Sequence, residues 1–180
     1  MPFLYSILFI FILVGAVVVL WIYEYNQLQH SKTKISQAEC LIDEALRDRY
    51  DILVSADTLL KDLLDSKTLF KDLTKIKEEN ISNFDLDRKL NEYVAILNQV
   101  KNDNKEVAEN KAFKEIISNN KKTDEKLQAA KSYYNKYTSE LNDLIRSFPS
   151  NIVARIHGWQ IQTFFDGKNL EDTIVDDFKL

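Results

Sequence analysis

This chain has one cysteine, two prolines, three glycines and two histidines in 180 residues, and no charged side chain before Glu24. Each shortage excludes something. Cys40 has no second thiol to pair with, so no internal disulfide framework exists and the compartment cannot be read from it. His30 and His157 do not join Cys40 in any metal-ligand spacing. Glycine is too scarce for a phosphate-cradling loop, and no Gly-x-Ser-x-Gly elbow occurs. From Tyr23 to Phe148 there is neither Gly nor Pro, the residues that punctuate turns and strands. A stretch that long without breakers predicts an all-α protein built from long helices.

The charge-free beginning is itself the most informative stretch. A bilayer core of about 30 Å takes roughly 20 mostly apolar residues as a helix. Residues 3–23 supply such a run, and Trp21, Tyr23 and Tyr25 close it where aromatics suit a membrane–water boundary. A secretory signal peptide would want basic residues in front, a shorter apolar core and a small-residue cleavage site behind. The flanks favour an uncleaved anchor over 1–25. Lys32 and Lys34 follow it and no basic side chain precedes it, so the positive-inside rule directs the C-terminal part to the cytoplasm.

The remainder carries all the charge, 24 basic against 28 acidic side chains, and is long enough for one domain. Its acidic balance argues against a nucleic-acid platform. Apolar positions from Ile35 step by threes and fours through Ala38, Ile42, Ala45, Arg49, Ile52, Ala56, Leu59, Leu63, Ser66, Phe70 and Leu73, widened by Leu46, Leu53 and Leu60. That is the buried stripe of a bundle helix, extending back through Leu28 to the anchor, with its first break at Asn80–Asp85. A second helix carries Leu86, Leu90, Tyr93, Leu97 and Val100, and residues 101–110 read as a loop with a frayed turn. A third holds strict alternation at Phe113, Ile116, Asn120, Thr123, Leu127, Ala130, Tyr134, Tyr137, Leu141, Leu144 and Phe148. The stripes are wider than a bare coiled-coil seam, which favours an antiparallel, four-helix-bundle-like domain over 26–165 (three long helices, one short) to a two-chain coiled coil.

Pro149 ends the third helix near Phe148; Ser150 or Asn151 then caps a short helix through Ile152, Val153 and Ile156, which Gly158 ends. The aromatic group Trp159, Ile161, Phe164 and Phe165 can fold back over the bundle end, and 166–180 reads as a loose acidic tail.

Residues 130–165, AKSYYNKYTSELNDLIRSFPSNIVARIHGWQIQTFF, resemble the C-terminal signature of the LemA family. The matching positions are Tyr134 with Asn135, Leu141 with Asn142, Ser147 to Asn151, and Phe164 with Phe165; upstream, Ile42, Asp43, Leu46, Arg49, Tyr50 and Asp51 match a second segment. Two departures stand out. Val54 and Ser55 replace a Pro-Asn pair, so the first helix should run on unkinked, and Arg155, Ile156 and His157 replace a Gly-rich stretch. The resemblance implies a membrane-anchored helical bundle of the bacterial envelope and no reaction.

The residues themselves show no catalytic site and imply no cofactor. Asp43/Glu44 and Asp176/Asp177 are adjacent pairs that diverge on a helix, and the Glu–His spacing of di-metal bundles is missing. Arg49 lies on the apolar stripe, where an unpaired charge is costly; it reads as a structural buried charge paired with Asp143 or a tyrosine of the third helix. A partner-binding arginine is its sharper reading. The corner Ser147, Phe148, Pro149, Ser150 and Asn151 first explains a helix end, and second offers a partner contact. The expectation is therefore a non-enzymatic scaffold or modulator of an unidentified envelope or membrane protein, with a homo-oligomer as its variant. A cryptic or accessory hydrolase of envelope material, using acidic side chains, is the alternative.

Overall fold

The structure is a computed structural model and describes residues 2–64, 69–70, 73–76 and 81–165. All its regular structure is helical: α1 (Pro2–Leu64), α2 (Leu73–Ile76), α3 (Asn83–Asp103), α4 (Lys105–Glu109), α5 (Lys111–Arg146) and α6 (Ser150–Ile156). No strand occurs among the described residues. The expected tail at 166–180, with Asp176 and Asp177, lies outside them, as do Ser66 and Asn80.

The chain divides into two compact units, residues 1–37 with 133–180 and residues 38–132. Helices α1 and α5 each contribute a part to both.

In the first unit, α1 begins with an apolar stretch long enough to cross a membrane, none of it buried against protein. Leu28, Ile35, Leu141, Val153 and Ala154 form the unit's core, with Trp21, Tyr25, Tyr134 and Trp159 packed around it. Each fully buried leucine contributes about 2 kcal/mol of apolar transfer, so this small core is held by few residues.

In the 38–132 unit the buried line of α1 is Ala38, Ile42, Ala45, Leu46, Arg49, Leu53, Ala56 and Leu60. The expected stripe is buried at Ala38, Ile42, Ala45, Arg49 and Ala56, and the widening residues Leu46, Leu53 and Leu60 are fully buried beside it, while Ile52 and Leu59 are half-buried and Leu63 is exposed. A straight helix drifts about 20° per heptad, which moves the buried face sideways along the strict repeat. Helix α1 runs through Val54 and Ser55 without interruption, as the departure there implies.

The stripe was expected to continue to Leu73 in one helix; the described helix instead ends at Leu64, and Phe70 lies outside any helix. Asp57 Oδ1 accepts the Phe70 backbone N–H at 3.2 Å. Thirteen residues of straight helix would hold those groups about 20 Å apart, so Phe70 does not lie on a straight continuation of α1. Phe70 is then buried, with its ring edge-on to Tyr93 at 5.7 Å.

Ser82 caps α3, its Oγ accepting the Asp85 N–H at 3.1 Å. Leu90 and Leu97 are fully buried. Most of the loop expected at 101–110 is helical: α3 continues to Asp103 and α4 follows, with Asn104 and Asn110 at the joints. Asn110 Oδ1 accepts the Ala112 and Phe113 N–H groups, which starts α5.

Candidate functional site

Two polar constructions stand out, one in each unit. In the 38–132 unit, Arg49 is 1% exposed. Its guanidinium donates to Asn91 Oδ1 at 2.8 Å and Asp87 Oδ1 at 3.3 Å on α3, and to Asp124 on α5. Lys131 Nζ reaches the other oxygen of Asp87 at 2.5 Å. Arg49 thus pairs with Asp87 and Asp124 rather than with Asp143, which lines an open recess beside Gln27, Ser31 and Ser147. The planar fork of arginine serves acceptors on two helices from two separate nitrogens in a fixed geometry, which a lysine's single ammonium does not reproduce. Asp87, Asn91, Asp124 and Lys131 were missed in the sequence. Asp87 and Asp124 carry the same signal: Asp87 follows Leu86 and precedes buried Leu90 by three residues, and Asp124 follows Thr123 and precedes buried Leu127 by three.

In the other unit, the C-terminal half of α5 holds an extended segment by its side chains. Asn142 Nδ2 donates to the Gln162 carbonyl at 2.8 Å, and its Oδ1 accepts the Gln162 N–H at 2.9 Å. Asn135 Oδ1 accepts the Phe165 N–H at 2.8 Å, and the Tyr134 hydroxyl donates to the Thr163 carbonyl at 3.2 Å. The aromatic group expected at the bundle end therefore runs along α5 as a strap.

The five corner residues divide. Ser147, Phe148 and Pro149 are exposed, Phe148 by 79%, so Phe148 does not complete the α5 seam. The helix has already ended at Arg146 and the chain has turned. Ser150 is buried, its hydroxyl donating toward the carbonyls of Leu144 (2.6 Å) and Ser147 (2.9 Å). It satisfies carbonyls at the end of α5 instead of capping α6, where Pro149 holds the N-cap position. Asn151 is half-buried and also does not cap. Gly158 closes α6 with φ +69°; its N–H donates to Arg155 O at 3.2 Å and the Trp159 N–H to Ala154 O at 2.9 Å, a Schellman closure.

Among the described residues, no three His, Cys, Asp or Glu side chains are grouped to hold a metal ion. Asp43 pairs with Arg47 on its own helix at 2.7 Å. Cys40 is exposed.

The model of the LemA family matches residues 38–176, most of the chain. The chain belongs to the LemA family. Comparison with curated proteins and with solved structures finds no match. The LemA match takes in the Arg49 network, the two strap asparagines and the corner, while the apolar stretch of α1 precedes it.

Proposed function

We propose that this LemA protein is a membrane-anchored, non-catalytic scaffold of the cell envelope. Residues 3–23 of α1 span the bilayer and stay attached, and the charged part faces the cytoplasm, following Lys32 and Lys34. The scaffold binds an envelope or membrane protein through the 38–132 unit, while the corner at Ser147–Asn151 docks a component of the membrane.

The observation carrying this reading is the distribution of polar groups. The most enclosed charges, Arg49 and Asp87, are committed to each other, to Asn91 and to Lys131. Apolar side chains are left outward instead: Leu41 at 49% exposure in one unit and Phe148 at 79% in the other. Catalysis wants convergent polar groups facing a cleft, and docking wants exposed apolar ones. The hydrolase alternative depends on acidic side chains, and Asp87 is held from both sides.

Photoreactive residues at positions 41 and 148, used in native membranes, test it. Capture of one protein from position 41 and of a membrane component from position 148 is expected. Capture from position 41 of further copies of the chain alone would contradict a scaffold for another protein and support self-assembly.

A further inference from the structure

We infer that α6 and Phe148, two residues ahead of it, lie in the headgroup layer of the bilayer that α1 crosses, so that the docked membrane component is lipid. This rests on reading α1 as an anchor.

Phe148, Ile152 and Ile156 follow one another at four-residue spacing and are 79%, 47% and 65% exposed. The opposite side of α6 is spent on the core through Val153 and Ala154. A short helix and the corner ahead of it thus turn three large apolar side chains outward, where a soluble surface would place polar ones.

Its position says what covers them. The His157 ring lies 4.8 Å from that of Tyr25 and 6.0 Å from that of Trp21, at the end of the uncharged run of α1. At the other end of α6, Ser147 shares a recess with Gln27. Trp21 to Gln27 is about 9 Å along a helix axis. A headgroup layer is about 5–7 Å deep on each side of the apolar core. The His157 end of α6 is therefore placed beside the part of α1 that emerges from hydrocarbon into headgroups, with its Ser147 end a few ångströms farther out.

Amphipathic helices at that level bury their apolar side about 5–10 Å into the headgroup–acyl boundary. Arg155, exposed between Ile152 and Ile156, has the charge that anionic lipid attracts. The patch is continuous with a membrane-spanning helix in the same unit, which is why lipid, rather than a second protein, is its occupant.

The test uses the full-length protein with Cys40→Ser in vesicles containing anionic lipid. A single cysteine carrying an environment-sensitive fluorophore is placed in turn at Phe148→Cys, Ile152→Cys, Ile156→Cys, Val14→Cys and Glu115→Cys. Lipid bearing a nitroxide near its headgroup should cause loss of emission at 148, 152 and 156, with protection from aqueous iodide. Glu115 should show the reverse. Quenching of Val14 by lipid bearing its nitroxide deep in the acyl chain, with 148, 152 and 156 open to iodide, would overturn the inference and leave the anchor standing. Protection of those three from both quenchers would also overturn it, in favour of a protein occupant. Iodide quenching at Val14 would overturn the anchor and the inference together.

Discussion

Asn142 binds Gln162 in both directions, its side-chain amide donating 2.8 Å to the carbonyl and accepting the N–H at 2.9 Å. One heptad earlier on α5, Asn135 accepts from Phe165. Seven helical residues rise about 10.5 Å, and three extended residues cover about 10 Å, so the two asparagines match the strap's own repeat. Removing the fully buried amide with Asn142→Ala should cost about 1–3 kcal/mol, since two backbone groups lose their partners. The local sign is faster amide exchange at Gln162, with α3 unaffected.

Arg49 gives a second prediction. Arg49→Ala leaves Asp87, buried on α3, with Lys131 as its remaining partner in the network. The expected loss is about 3 kcal/mol, because a buried charge deprived of its partner is expensive. Asp124 contributes little to this, its side chain being half exposed and screened. Arg49→Lys should recover less than half, since a single ammonium cannot reproduce the fork. The urea midpoint of the full-length protein in detergent measures both.

Gly158 gives a third. Nothing lies within 4 Å of where its side chain would start, so a methyl group there meets no clash. Its φ of +69° remains unfavourable for alanine. Gly158→Ala should therefore destabilise by about 1–2 kcal/mol through backbone conformation alone. Gly158→Asn should cost less, because asparagine tolerates that region, and the thermal midpoints should rank accordingly.

Cys40 reports orientation, being the sole cysteine and exposed. With the charged part in the cytoplasm, a membrane-impermeant maleimide should leave intact cells unlabelled and label Cys40 once they are permeabilised. Labelling of intact cells would place that part outside.

The long helices were readable because Gly and Pro are absent from 24–147 and apolar residues recur at helical spacing. The place of Phe70 was not, because it depends on one carboxylate, Asp57, accepting a backbone N–H from thirteen residues along the chain. Arg49 was legible as a charge on an apolar stripe; its acceptors were not, since pairing between helices leaves no mark in local spacing. Likewise Asn135 and Asn142 were noticed through a family resemblance, but the strap they hold has no periodicity of its own.

The proposed scaffold depends most on α1 remaining in the membrane. The direct measurement is alkaline carbonate extraction of native membranes, with the N-terminus and mass of the extracted chain determined. The account predicts an intact 21.0 kDa protein that stays in the membrane pellet. A shortened chain lacking the apolar stretch and released into the supernatant would contradict it.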